Sequence, residues 1–444
     1  MTRTALAVAA ACAVALAACG SCSKGDSATS SAASSSSSMV PEVLPRCRGE
    51  SQRLAIPGED VIVGDVAVAP RGLLVGVIRG DGSKRVASVI RASLDLATSS
   101  IVDVGPPAGD EPPPSPRWNG DTAYVSFITR RPADGGPKLR ELRVARLEDA
   151  SLGKVEANIV QQADESTAFD VAWNEGGAAL VAWDEDAPPR ADAAPPRETY
   201  APEGRGFVKV QILGSDTRRV ASPETSDAES PRLLPRPGGG FWLAWLARRA
   251  EDDGYEIESP GEKRVFRWVE VVSLSATGEP AGPVRRVTPE KGRALSFELG
   301  RSGSDLVVLV QDEAAPSEGA GARIVRYVVA ERIESTDIVD AGVGATVAEL
   351  VPVTPPAVGL RWLAWSDTSE HAHVTPLGGG LGAVGRPTLE PSFDGARVLA
   401  AVGAESIFAL VGAAPAEPAA AAPRGRPEIR RFTCTQPDAS DKGK

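Results

Sequence analysis

Four polar residues stand at the head of apolar hairpins. Asp65 opens "DVAVAPRGLLVGVIR", Ser115 opens "SPRWNGDTAYVSFITR", Asp170 opens "DVAWNEGGAALVAWD", and Glu229 precedes "SPRLLPRPGGGFWLAWLA". Carboxylates at matching places in repeated units can converge, either as an oxygen cage for Ca²⁺, which takes about six to eight oxygens, or as an acid–base pair. No calcium-loop spacing surrounds them, so no cofactor is expected, with Ca²⁺ kept as the alternative; polar lining of a channel mouth is the plainer reading. His371 and His373 alternate on one strand and present two imidazoles to one side. H-x-H on a strand can ligate a metal, but no third ligand is identifiable, so no metal site is assigned. Tyr200, Tyr255 and Trp268 are candidate exposed aromatic contacts, whereas Trp173, Trp183, Trp242, Trp245, Trp362 and Trp365 read as core. The chain has no GxSxG elbow, HExxH pair or phosphate-cradling glycine loop. No catalytic residue is named, and catalysis is not the favoured reading.

The hairpins must position these groups. Seven of them recur, at 65–79, 115–130, 170–184, 230–247, 295–312, 349–367 and 396–412. Each is a first strand, a short turn and a strongly apolar second strand. A more polar third strand follows ("KRVASVIRASL", "KLRELRVARL", "GFVKVQIL"), then a short fourth ("SSIVDVG", "KVEANIVQ", "TRRVASP", and for the fifth unit "DIVDAGV" at 337–343). Four antiparallel strands repeated seven times predict an all-β, seven-bladed β-propeller. The second strand is then apolar on both faces because each blade packs between two others. In "FWLAWLA", Phe241, Leu243 and Trp245 should face one neighbour, and Trp242, Ala244 and Leu246 the other.

The last hairpin is followed only by a third strand, "EIRRFTCTQ" at 428–436, while "SQRLAIPG" at 51–58 reads like a fourth strand with no blade of its own. The N-terminal strand is therefore expected to complete the last blade and close the ring, which removes an open sheet edge. The second-to-third connections are long, at 185–206, 248–264, 313–322 and 413–427, and all fall on one face. Loops held on a rigid scaffold are where binding usually sits. A protein partner or an envelope polymer is expected on that face.

The net charge of −11 over 444 residues argues against nucleic acid, because no basic stripe supplies phosphate contacts. The chain begins with basic "MTR" and the apolar run "TALAVAAACAVALAA", too short to span a bilayer comfortably. The run ends in Leu16-Ala17-Ala18-Cys19. This resembles the lipobox of bacterial lipoproteins and implies cleavage before Cys19 and lipid on its thiol; a plain secretory signal cut near "ALAA" is the alternative. Residues 20–38 are a Ser-rich tether. The resulting division is signal peptide 1–18, lipidated Cys19 and linker through 46, propeller 47–436 and a disordered tail 437–444. The chain as a whole resembles bacterial lipoproteins carrying a seven-bladed propeller, with no diagnostic blade motif, and "SPRW" and "SPRLL" are similar to propeller repeats of TolB-like periplasmic proteins.

An exported chain meets an oxidising compartment. Cys12 leaves with the signal and Cys22 lies in the tether, so Cys47 and Cys434 remain at the two ends of the folded region. A Cys47–Cys434 disulfide is expected, with two free thiols as the alternative. The expected address is the cell envelope through a lipid anchor, with the outer membrane favoured because Gly20, not Asp, follows Cys19. The expected role is a binding or assembly scaffold; a sialidase-, lactonase- or glycosidase-like hydrolase with its site at the channel mouth is the alternative.

Overall fold

The computed structural model describes residues 46–58, 60–106, 111–131, 139–160, 168–186, 206–223, 227–249, 254–256, 263–313, 322–337, 347–351, 353–354, 362–367, 372–376, 388–389, 396–402, 406–411 and 426–435. Residues 1–45, with the expected signal segment, Cys19 and the expected tether, and residues 436–444 lie outside them.

The chain is a seven-bladed propeller. The first blade is Ile62–Ala69, Gly72–Arg79, Val86–Ala92 and Ser99–Gly105, hydrogen-bonded in that order. The second (Ser115–Asn119 to Leu152–Val160) and third (Phe169–Trp173 to Arg218–Val220) repeat it. The fourth runs Asp227–Pro235, Phe241–Arg248, Arg267–Leu274, Arg285–Arg286. A small hairpin that sequence periodicity did not reveal, Gly254–Glu256 with Lys263–Val265, projects from its long loop. The fifth and sixth blades share one sheet through the single pair Ala322↔Val347. The outer strand of the fifth blade is Ile333–Asp337, where the sequence pattern placed it at 337–343. The turn after the third strand is tighter than expected.

Blade-to-blade packing is apolar and follows the predicted alternation. Phe241, Leu243 and Trp245 join Leu180, Ala182, Val208 and Val210 of the third blade. Ala244 and Leu246, with Trp242 against them, join Phe297, Leu299, Leu306 and Val308 of the fifth. Arginines add a second tie at the rim: Arg91 donates to the Leu147 and Glu148 carbonyls of the next blade, and Arg285 does the same to Ala330 and Glu331. Each holds a neighbour's third-to-fourth turn.

Ring closure follows the expected route. Arg46–Ala55 pairs antiparallel with Glu428–Thr435 and becomes the outer strand of the seventh blade, behind Ala396–Val402 and Ser406–Val411. The Ile56 N–H then donates to the Pro427 carbonyl at 2.9 Å. Ile56, Leu73, Val75 and Ile90 pack against Phe408, Leu410 and Ile429, which joins the first blade to the last. The register sets Cys47 directly opposite Cys434.

Two glycines make room for the entry to the second blade. A Cβ on Gly76 would lie 1.6 Å from the Pro114 carbonyl oxygen, and one on Gly64 would lie 2.5 Å from Pro113 Cβ. The Pro113–Pro116 segment is thereby pressed onto the first blade, and Ser115 is delivered beside Asp65. Gly76→Ala is expected to cost about 3 kcal/mol or more, because the obstructing atom is backbone; a thermal midpoint within a degree of the parent's would refute this close approach. Peptide mapping without reductant is expected to show Cys47 joined to Cys434. Reduction should lower the thermal midpoint, since closing so long a loop is worth about 4–6 kcal/mol in the chain-entropy model; separate alkylatable thiols in protein purified without reductant would refute the bond.

Candidate functional site

The innermost strands bring charged side chains from five consecutive blades into the central channel. Ser115 Oγ donates to Asp65 Oδ2 at 2.5 Å, and Arg117 reaches the same carboxylate oxygen at 3.3 Å and Asp170 Oδ1 at 3.4 Å. Asp170 also accepts the Leu233 N–H from the fourth blade at 2.8 Å on its other oxygen, and its own neighbour Val171 N–H at 2.8 Å. It is 8 % exposed. Asp65, Ser115, Arg117 and Asp170 thus form a linked quartet across the first three blades.

Arg232 and Glu298 extend the ring to the fourth and fifth blades. They stand on the first strands of those blades, and the Arg232 charge acts on both Asp65 and Glu298. Arg117 and Arg232 belong to the repeated Ser-Pro-Arg runs 115–117 and 230–232. Each folds one Nη back onto the preceding proline carbonyl, at 2.9 and 3.1 Å. Arg117 goes on to its two aspartates. Among the described residues Arg232 and Glu298 have no ion-pair partner.

The carboxyls respond differently to this environment. Burial alone would raise Asp65, but the Arg117 charge, the Ser115 hydroxyl and the Arg232 charge outweigh it and hold it below its ordinary value. Glu298 is pushed up to about 7, chiefly by burial; Arg232 opposes the rise, Asp170 and Asp65 reinforce it, and Arg117 opposes it in turn. The Arg117 guanidinium is raised: burial works against its charge, and Asp65 and Asp170 more than offset this.

Of the four residues expected at the channel mouth, Asp65, Ser115 and Asp170 come together and Glu229 does not. A β-bulge lies between Glu229 and Arg232, with Ser230 at φ 56° and its N–H donated to Asp184 at 2.7 Å. The extra residue leaves Glu229 before the bulge, against Arg248 and Arg267 at 3.5 Å each, and sets Arg232 beyond it in the bore. Trp268 also corrects its expectation. It is 5 % exposed, and Glu270 accepts its indole N–H at 2.9 Å and that of Trp245 at 3.1 Å. Packing against the third blade, not a ligand, claims it. Trp183 and Trp245 are fully buried, as expected of core. Tyr255 lies on the small hairpin opposite Arg264. Tyr200 and His371 lie outside the described residues, as do most of the long second-to-third loops; His373 pairs with Trp365 in register.

Arg117, Arg232 and Glu298 were missed in the sequence. The repeated Ser-Pro-Arg was the available signal for the first two, and nothing local marks Glu298. Among the described residues no group of three or more His, Cys, Asp or Glu side chains is placed to hold a metal ion; Asp65 and Asp170 share Arg117 instead. A cleft of about 310 Å³ lies on the opposite face, between the first two blades, but its Arg91 is spent on neighbouring carbonyls.

No protein-family model and no curated protein sequence matches this chain. Solved propeller structures do resemble it. The β-propeller domain of the Trilobed protease from Pyrococcus furiosus is 12% identical over 79% of this chain and 91% of that one, with a TM-score of 0.46. The acylaminoacyl peptidase of Pyrococcus horikoshii is 12% identical over 80% of this chain but only 50% of its own length, at 0.47. The polysaccharide lyase Uly1 is 9% identical over 86% and 91%, at 0.48. At these identities the likeness concerns the fold alone.

The raised Glu298 carboxyl makes a stability prediction. It holds a proton in the folded chain well above its ordinary 4.5, so folding takes up a proton between about pH 4.5 and 7, and its contribution to stability falls as pH rises through that window. Glu298→Gln is expected to be more stable than the parent by about 1–3 kcal/mol at pH 8 and indistinguishable from it at pH 4. Melting curves at the two values check this, and equal differences at both would show that burial does not set the Glu298 proton.

Proposed function

We propose that this chain is an exported, lipid-anchored β-propeller that serves as a binding or assembly scaffold at the cell envelope. The lipobox-like Leu16-Ala17-Ala18-Cys19 and the Ser-rich tether support the anchor. The observation that carries the binding reading is the channel. Charged groups from the first three blades are fixed there by one another and by backbone, and two more, Arg232 and Glu298, have no ion-pair partner among the described residues. A rigid wall of compensated charge with a few free polar groups suits recognition. The long loops of the adjoining face, at 185–206 and 248–264, are the proposed contact for a protein or an envelope polymer.

One observation favours a hydrolase as the second reading. Asp65 is held ionised while Glu298 is pushed up to about 7 in the same channel, and two carboxyls with separated proton affinities are what acid–base catalysis requires. No described nucleophile stands between them.

Crosslinking the mature protein in its native envelope, with and without loops 185–206 and 248–264, distinguishes the two readings. The scaffold predicts a specific partner lost with the loops. Loop-independent capture, together with glycoside or ester hydrolysis abolished by Glu298→Gln, would support the hydrolase instead. Cys19→Ser is expected to release the protein from membranes, and continued retention would count against the lipid anchor.

A further inference from the structure

We propose that the cleft between the first two blades, on the face away from the long loops, binds a neutral saccharide of one or two rings. Its volume is about 310 Å³, at the low end of the roughly 300–1,000 Å³ that small-molecule sites span. All nine residues that line it are described. Trp118, half-buried near the end of Ser115–Asn119, supplies an aromatic wall. Thr98, Ser99 and Ser100, where the outer strand of the first blade begins, supply three exposed hydroxyls. None of these hydroxyls has a hydrogen-bond partner among the described residues. The Trp118 indole N–H is buried and lacks an acceptor there too. Arg91 stands 5.9 Å over the Trp118 ring, held by the Leu147 carbonyl at 3.3 Å and the Glu148 carbonyl at 2.8 Å. The wall is therefore set before a ligand arrives.

The lining selects the ligand class. Both of its cations are already paired: Arg71 with Asp121 at 2.8 Å, and Arg91 with Asp149 at 3.4 Å in addition to its two carbonyls. An anion would find no free counter-charge. A cation would meet the two arginines, and no carboxylate lines the cleft. An apolar ligand would cover three hydroxyls and leave them without partners, which costs free energy for each. Ser93 does not share in this, because its hydroxyl is spent on Asp95 and the Thr98 carbonyl. What fits is a neutral ring rich in hydroxyls. Sugar hydroxyls donate and accept, as those of Thr98, Ser99 and Ser100 do. The apolar body of the indole suits the C–H face of a pyranose. A sugar oxygen, or a water carried with it, supplies the acceptor that the Trp118 N–H lacks.

The inference is independent of the long loops and of the channel. The test is calorimetric titration of the full mature chain in detergent. The neutral probes are maltose, cellobiose and N,N′-diacetylchitobiose; cellobiouronate and fully deacetylated chitobiose are their anionic and cationic counterparts. Saturable binding of at least one neutral disaccharide is expected, at least about tenfold tighter than either charged one. Ser100→Trp, at an exposed position, should fill the cleft and abolish binding. The double variant Thr98→Val with Ser100→Ala should bind about tenfold more weakly, for the loss of two hydroxyl contacts. Trp118→Phe keeps a ring in the wall and should erase the saccharide-induced change in tryptophan emission. The chain without loops 185–206 and 248–264 should bind the sugar as the parent does. A free sugar and the end of a glycan chain offer the same chemistry; maltotetraose bound as tightly as maltose identifies the chain end, and maltose bound alone the free sugar. Failure of all three neutral probes, equal binding of a charged counterpart, full binding by a folded Ser100→Trp protein, or an emission change that survives Trp118→Phe would each overturn the site. Binding lost with the loops would place the sugar on the opposite face and overturn it as well.

Discussion

Without Arg46–Ala55 alongside it, strand Glu428–Thr435 would end the last sheet in an open row of N–H and C=O groups. Such an edge recruits other chains, and in this molecule it would also leave the contact between the first and seventh blades to side-chain packing alone. The antiparallel pairing from Arg46↔Thr435 to Ala55↔Glu428 meets both demands at once. It satisfies the edge, and it places Ile56 where its N–H reaches the Pro427 carbonyl and its side chain enters the core between the first and last blades. The described interfaces among the first five blades repeat one apolar sandwich, whereas at this seam residues nearly four hundred positions apart must meet.

Closing the ring is what creates the channel chemistry. The first strand of each blade runs along the axis, and strands from neighbouring blades run alongside one another, to the point that Val353–Thr354 of the sixth blade pairs parallel with Ala396–Val402 of the seventh. Polar side chains on these strands find partners across blades. Asp170 does this most fully, accepting a backbone N–H from the fourth blade while facing Arg117 of the second. Asp184 and Asp227 serve similar ends away from the axis, accepting the Ser230 and Gly206 N–H groups. Asp184, at the exit of a second strand, and Asp227, at the start of a first, are therefore ties between backbone segments.

How much of this the sequence displays depends on the range of the cause. The alternation of Phe241, Leu243 and Trp245 against Trp242, Ala244 and Leu246 is local and was legible, as was the orphan strand near residue 50. Asp65, Ser115 and Asp170 were legible because each heads its hairpin. Glu229 was misread because a bulge shifts register by one residue, and nothing in "DAESPRLL" announces the extra residue except the Ser-Pro pair that houses it. Trp268 was misread because strand polarity averages over both faces; its own face is apolar, and Glu270 hides the indole N–H inside it. Glu298 was invisible because its significance arises only when four other blades surround it.

Glu298 is also where local stability rules are broken. An acid pushed up to about 7, chiefly by burial, has no described partner, and Arg232 on the neighbouring inner strand has none beyond the Pro231 carbonyl. Both could have been neutralised by the device used two blades away, where Ser115 and Arg117 close on Asp65. Asp170, Asp227 and Glu270 are held by backbone or indole N–H groups, whereas Arg232 and Glu298 have no ion-pair partner among the described residues.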